Sequence, residues 1–275
     1  MNLSKKFLIG TNFIIFYSLA FTSVLLGLYQ KKAMAFPVNI PPCTGSIPVD
    51  DSCLVNPTSY EVDIYKVLIC QNDPFPSNAN KANLSSCMKL FESNNPYTGQ
   101  LAQNQFTLPS TGRDQIKEGQ YSYVAVVFSN VLTGAGSYTS GGKTYRTTGN
   151  GSITTDPGDP VKHGETFTGW RGEFDDDNDY CRNGATQSRC ETDFNNYQVT
   201  GIITDSSLNS VSGNSASRLF YLAELTSPFT LSKSSSGSIE INVDNAYELN
   251  GSFDGSSVDS MAIAPFVFQP TFVNN

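Results

Sequence analysis

The densest cluster of charged residues in the sequence is segment 175–179, which reads Asp-Asp-Asp-Asn-Asp. Asp175, Asp177 and Asp179 alternate as the carboxylates at the start of a calcium-binding loop do, and Ca²⁺ prefers oxygen ligands of this kind. The sixth and twelfth positions are tyrosine and threonine, where an EF-hand loop has glycine and glutamate. Two interpretations stay open, a calcium site closed by other acidic residues and a solvated acidic loop. We predict no cofactor, with calcium bound to this segment as the alternative.

His163 is the only histidine in the chain, so any catalysis that depends on an imidazole must use it. Asp159 and Glu165 are close in sequence, but no Gly-x-Ser-x-Gly elbow supplies a nucleophile. Nearness along the chain does not produce the geometry of a catalytic triad. We therefore predict no catalytic residue and rank an extracellular hydrolase last among the functions.

Trp170 is the only tryptophan and lies among small and charged neighbours, Gly169 and Arg171-Gly172. This setting predicts an exposed aromatic anchor on which a glycan could stack, with polar neighbours bonding its hydroxyl groups. The competing interpretation is burial, because aromatic residues in strand-forming sequence most often belong to the core.

Six cysteines follow residue 42, and their even number predicts a disulfide framework. Intervals of 10, 17 and 9 residues between the nearest pairs lack the C-x-x-C spacing of zinc and redox sites. Pairing of nearest neighbours is the simplest of the fifteen possible connectivities. The predicted bridges are Cys43–Cys53, Cys70–Cys87 and Cys181–Cys190.

The N-terminus carries an export signal. Lys5 and Lys6 precede an apolar run over residues 7–28, and Ala33-Met34-Ala35 provides a small-x-small cleavage site. We predict that residues 1–35 form a signal peptide and that the protein is extracellular or lies on the cell surface. The alternative is an uncleaved membrane anchor through residues 7–28, because about 22 apolar residues suffice to span a bilayer.

Acidic residues dominate the remainder of the chain. Cleavage would remove four of the 17 basic residues and no acidic residue, which leaves 13 basic and 25 acidic side chains. A net charge near −12 repels a polyanion, so nucleic acid is excluded as a partner. The same charge keeps a secreted protein soluble.

Seven segments have the branched and aromatic residues and the polar-apolar alternation of β-strands. They are Tyr60–Val67, Tyr121–Val131, Glu165–Phe174, Tyr197–Thr204, Arg218–Leu225, Ser238–Val243 and Val258–Phe268. Gly141-Gly142 between two short strand-like stretches predicts a hairpin turn, and Asn83–Ser93 is the one stretch with helical spacing. The sequence predicts an all-β fold, an antiparallel β-sandwich or jelly-roll-like domain with long loops and at most one short helix.

Three regions follow from this pattern. The signal peptide precedes a Pro-rich extended lead-in over residues 36–59, clipped by the Cys43–Cys53 bridge, and residues 60–275 form the β-sandwich. The alternative is two smaller sandwiches that divide near the polar segment 156–160.

We interpret the chain as a secreted or cell-surface structural protein without enzymatic activity, an assembly subunit that associates by β-strand addition. Segments 36–48 and 261–273 are the extended and apolar stretches that motivate this interpretation. Its partners would be other copies or other surface proteins, and membrane contact would require residues 7–28. The alternative is an extracellular carbohydrate- or calcium-binding β-sandwich module.

Overall fold

A computed structural model describes residues 40–49, 51–100, 117–170, 184–194, 197–232, 235–242, 246–264 and 267–274. Within them lie seventeen strands, joined in antiparallel pairs, and no α-helix. The strands are β1 (Ser52–Val55), β2 (Ser59–Cys70), β3 (Cys87–Gln100), β4 (Gly119–Ser129), β5 (Val131–Ala135), β6 (Ser137–Ser140), β7 (Lys143–Thr147), β8 (Ile153–Thr154), β9 (His163–Thr166), β10 (Gly184–Ala185), β11 (Arg189–Phe194), β12 (Tyr197–Thr204), β13 (Arg218–Leu231), β14 (Ser235–Asn242), β15 (Tyr247–Gly251), β16 (Val258–Ile263) and β17 (Val267–Asn274). The predicted all-β antiparallel class is confirmed.

Nine of the strands form one large sheet. The pairing order is β10-β11-β12-β13-β4-β2-β5-β9. Strand β2 pairs with β4 and β5 along one side and with β3 along the other. Three smaller sheets accompany it, β1-β15-β16, β6-β7-β8 and the two-stranded pair β14-β17. The predicted turn at Gly141-Gly142 joins β6 to β7, and both glycines have the positive φ that such a turn requires.

The large sheet is buried on both faces. In β2, Val67 and Ile69 belong to one core, whereas Leu68 and Cys70 belong to the other. Successive residues of a strand point to opposite faces, so the four form a continuous apolar run rather than an alternating one.

The larger core lies between the nine-stranded sheet and the small sheet β1-β15-β16, which is the arrangement of a β-sandwich. Tyr247, Leu249 and Ile263 of the small sheet pack there with Tyr60 and Ile64 of β2, and all five are at most 1% exposed. The second core is covered by irregular segments instead of a sheet. Phe75 and Leu208 from those segments contribute to it, with Leu84 packed against it.

The helix predicted over Asn83–Ser93 is wrong. Leu84–Ser86 forms one turn of 3-10 helix, and the chain then enters β3. Cys87 lies opposite Cys70 in the β2–β3 register and is bonded to it by a disulfide. Strand pairing and this bridge outweigh a helical spacing that is only a local preference.

The described part of the predicted lead-in is attached to the small sheet. The Cys43–Cys53 bridge is present, and the Cys43 N–H donates to the Leu54 carbonyl at 2.9 Å while the Leu54 N–H donates to the Pro41 carbonyl at 2.9 Å. Residues 41–43 therefore run along the outer edge of β1. Part of the predicted lead-in is itself β1 and belongs to the small sheet.

The described residues, from 40 to 274, belong to one compact unit. Strands on both sides of the proposed division at 156–160 belong to the nine-stranded sheet, because β5 pairs with β9 and β4 with β13. Segment 156–160 therefore does not separate two sandwiches. The predicted signal peptide, residues 1–35, lies outside the described residues, and none of the described helices has the length and apolarity needed to cross a membrane.

Candidate functional site

The acidic segment with Asp175, Asp177 and Asp179 lies outside the described residues, as does Cys181. Cys190 is disulfide-bonded. That its partner is Cys181 remains a prediction. Among the residues that the structure describes, no three or more His, Cys, Asp or Glu side chains are grouped to hold a metal ion. Calcium binding thus remains a prediction of the sequence.

Trp170 is completely buried, at 0% exposure, which corrects the expectation of an exposed stacking surface. Its ring lies near those of Phe167 and Tyr221, with centroids 6.4 and 6.2 Å away. A Cβ atom on Gly201 would stand only 2.7 Å from the indole Cζ2 atom, so this glycine provides space for the ring. The large apolar surface of the indole gains more from burial in the core than from exposure.

His163 is buried and belongs to a polar cluster between the two sheets of the sandwich, in which Glu165 is partly exposed. Its Nε2 atom lies 2.9 Å from Glu165 Oε1, and the Tyr247 hydroxyl lies 3.2 Å from both ring nitrogens. The same Glu165 oxygen accepts the Ile263 N–H at 2.9 Å. Asp159, the other carboxylate considered for a triad, is exposed.

This cluster connects the two sheets of the sandwich. Burial, with a smaller contribution from the Glu165 charge, raises the pKa of the Tyr247 hydroxyl well above its usual range. The phenol therefore stays neutral at physiological pH and can only donate or accept hydrogen bonds. Through Glu165, β9 is bonded to β16, and through Tyr247 it contacts β15, so the cluster fixes the small sheet on the large one.

Tyr247→Phe is expected to lower the free energy of unfolding by about 1 kcal/mol, because it removes one buried hydrogen-bonding group and keeps the ring. Tyr65→Phe is the matched control, since the Tyr65 ring lies 3.6 Å under the Arg218 guanidinium and this contact does not need the hydroxyl. Chemical denaturation of both variants measures the difference. Equal free energies of unfolding for Tyr247→Phe and Tyr65→Phe would contradict a role for the cluster in joining the sheets.

Several edge strands among the described residues carry features that hinder pairing with another chain. On edge strand β3, Glu92 forms ion pairs with Lys66 and Lys89, whose hydrogen bonds lower the pKa of its carboxyl group. Between Glu92 and Tyr97 the register against β2 shifts, and this irregular stretch contains Pro96. Charges, irregularities and proline are the usual means by which proteins block a strand edge.

Other contacts cover edge strands of the sheets β1-β15-β16 and β6-β7-β8. Residues 41–43 cover the edge of β1, and the Glu165 carboxylate accepts the Ile263 N–H of β16. Along β6, Ser140 Oγ donates to the Gly45 carbonyl at 2.9 Å and the Tyr138 hydroxyl donates to the Ser46 carbonyl at 3.0 Å. In the nine-stranded sheet, terminal strand β10 has only two residues.

The pair β14-β17 is different. Its two strands pair over eight consecutive positions without a register shift, from Ser235 opposite Asn274 to Asn242 opposite Val267. Within the described part of the chain neither strand pairs with a third, so each has one outer edge. Pro270 interrupts the row of donors on β17, whereas β14 contains no proline and a single charged residue, Glu240. We call the outer edge of β14 the open edge.

Comparison with known proteins adds no relative. No family model, no curated protein and no solved structure matches this chain.

The open edge depends on a pairing that the sequence does not reveal. The strand-like character of 238–243 and of the C-terminal segment is visible in the sequence, but their pairing joins residues far apart along the chain. Of segment 261–273, the first residues complete the small sheet as part of β16 and the last form β17.

Sequence reasoning also missed an exposed aromatic residue at the tip of the β15–β16 hairpin. Phe253 is 81% exposed, and the nearby loop carries Val49 at 63%. The turn is held by Asp254, whose pKa is lowered to about 2 by hydrogen bonds from Ser256 and Ser252. The signal in the sequence was Asp254-Gly255, a dipeptide typical of tight turns, directly after a phenylalanine.

Proposed function

We propose that this protein is an exported structural protein of the cell surface or extracellular space, without enzymatic activity, which associates by β-strand addition at the open edge. The observation that carries the proposal is the open edge itself, eight regularly paired residues whose other side has no strand partner among the described residues. An added strand gains a row of main-chain hydrogen bonds there.

Export is supported by the disulfides and by the leader. Bridges Cys43–Cys53 and Cys70–Cys87 indicate an oxidising environment. The basic residues, apolar run and small-x-small site at the N-terminus are the pattern of a signal that directs a chain to such an environment.

Association at one defined edge is supported by the contrast between β14 and the other strands. A two-stranded ribbon is only marginally stable in water, and additional strands stabilise it. The edges of β1, β3, β6 and β16 carry contacts, charges or irregularities that hinder pairing, whereas the ribbon offers a long and regular edge for a further strand.

The ribbon register identifies which backbone groups are free on β14. Pro270 lies opposite Ile239, and its nitrogen carries no hydrogen to donate. This position therefore fits a non-hydrogen-bonded pair, in which both residues direct their N–H and C=O positions away from the partner strand. By alternation, residues 237, 239 and 241 offer their backbone groups at the open edge.

Ile241→Pro is expected to abolish association, because it removes one of the free donors of β14 and places a proline ring at the open edge. Phe268→Pro is the matched control, since Phe268 lies opposite Ile241 in the register and the same change there affects only the outer edge of β17. Sedimentation of the full chain, as processed by the cells that express it, measures native mass over a range of concentrations.

We expect the native mass of the wild type and of Phe268→Pro to rise with concentration, while Ile241→Pro remains monomeric. Equal thermal melting of the two variants would verify that the sandwich is intact. Association of Ile241→Pro at wild-type strength would contradict the proposal.

A further inference from the structure

We infer that the strand added at the open edge is β14 of a second copy, paired antiparallel with Ile239 on the twofold axis. This inference rests on the proposed function and specifies its partner and register. A twofold contact is self-complementary, because each copy presents the same edge to the other. Antiparallel pairing of one strand with itself meets this condition.

The positions of the free backbone groups limit the registers. Both copies offer the groups of residues 237, 239 and 241, and these must face each other to exchange hydrogen bonds. Odd-numbered positions therefore lie opposite odd-numbered positions. Residues opposite each other share a face of the sheet. One face of the joined sheet therefore has the positions of Gly237, Ile239 and Ile241 from both copies, and the other face has those of Ser236, Ser238 and Glu240.

The residue types on β14 then distinguish the possible positions of the twofold axis. An axis at position 240 places two Glu240 residues directly opposite each other, and like charges in that position are unfavourable. An axis at 238 or 239 brings seven of the eight residues of β14 opposite partners. The axis at 239 pairs Ile239 with Ile239, Gly237 with Ile241 and Glu240 with Ser238 of the second copy, whereas the axis at 238 leaves Ile239 opposite glycine.

The resulting sheet has four strands in the order β17-β14-β14-β17, two from each copy. It exceeds the three strands that a sheet needs for independent stability, whereas the two-stranded ribbon does not. The net charge of each copy, −8 over the whole sequence, opposes association. Added salt should therefore shift the native mass toward the dimer, because it screens this repulsion.

Single cysteines on β14 test the register. In the inferred dimer the two Cα atoms at position 239 lie about 5.5 Å apart, as in a hydrogen-bonded antiparallel pair, which is within the range of a disulfide. Positions 238 are diagonal to each other at about 7–8 Å. We expect Ile239→Cys to form an intermolecular disulfide on mild oxidation, and Ser238→Cys to form at least tenfold less.

The matched control is Thr271→Cys, because Thr271 lies opposite Ser238 on β17 and is one strand further from the axis. Thiol titration before oxidation should give one free thiol per chain in each variant, because the native cysteines that the structure describes are bridged. The products are counted on non-reducing gels and located by mass spectrometry.

The outcomes separate this inference from the proposed function. Efficient cross-linking through Ser238→Cys in place of Ile239→Cys would overturn the axis at 239 and leave strand addition standing. A second possible result is that neither cysteine variant cross-links although Ile241→Pro still prevents association. This result would show that the partner strand is not β14 of a second copy. A wild type whose native mass never rises with concentration would overturn both.

Discussion

Trp170→Ala is expected to lower the free energy of unfolding by about 3–5 kcal/mol, the range for truncating a large buried aromatic side chain. The indole is 0% exposed, lies in the larger core beside Phe167 and Tyr221, and fills space that the missing side chain of Gly201 leaves. Its removal would leave a cavity that the surrounding strands can only partly close. Chemical denaturation followed by circular dichroism measures the change.

Phe253→Ala is the matched control for this substitution. It also truncates an aromatic side chain, but Phe253 is 81% exposed, so its loss should change stability by no more than about 0.5 kcal/mol. Fluorescence of the wild type adds an independent test, because Trp170 is the sole tryptophan. Emission typical of a solvated indole in the folded protein, or equal effects of the two substitutions, would contradict the burial of Trp170.

Removing the Cys70–Cys87 bridge is expected to destabilise the protein by about 3 kcal/mol, the loop-entropy contribution of a bridge that closes 17 residues. The closed loop also covers the second core, where Phe75 is 1% exposed. The double variant Cys70→Ala/Cys87→Ala should therefore open this loop as well as lower the denaturation midpoint. Trypsin would then cut after Lys81, an exposed residue within the loop.

The matched control is Cys43→Ala/Cys53→Ala, which removes a bridge of similar size, 10 residues, at the lead-in. It should cause a slightly smaller loss of stability and leave Lys81 resistant to trypsin. A loss below about 1 kcal/mol in Cys70→Ala/Cys87→Ala, with the loop still resistant, would show that strand packing alone holds the second core.

Local patterns in the sequence were sufficient for some of the strands, whereas the predicted strand Glu165–Phe174 is a strand only at its start, because β9 ends at Thr166 and residues 167–170 are irregular. Tyr197–Thr204 coincides with β12 residue for residue, and Tyr60–Val67 lies within β2. The branched and aromatic residues of these segments suit a pleated surface wherever they pair. Nearest-neighbour disulfides also follow from sequence, because bridges Cys43–Cys53 and Cys70–Cys87 close short loops.

Long-range contacts explain what the sequence did not predict. The stretch 83–93 has helical spacing, yet β2 and a disulfide draw Cys87 and its successors into a strand. Trp170 has small and charged neighbours in sequence, but its own ring is enclosed by Phe167, Gly201 and Tyr221. The open edge is a property of pairing between β14 and β17, which no single segment contains.

Hydrogen exchange at individual backbone amides, followed by NMR at low and high protein concentration, tests strand addition most directly. We expect the amides of residues 237, 239 and 241 to exchange at least tenfold more slowly as native mass rises, because an added strand occupies these donors. The amides of residues 268 and 272, on the outer edge of β17, should exchange at the same rate at both concentrations. A rise in native mass without slower exchange at 237, 239 and 241 would contradict association at the open edge.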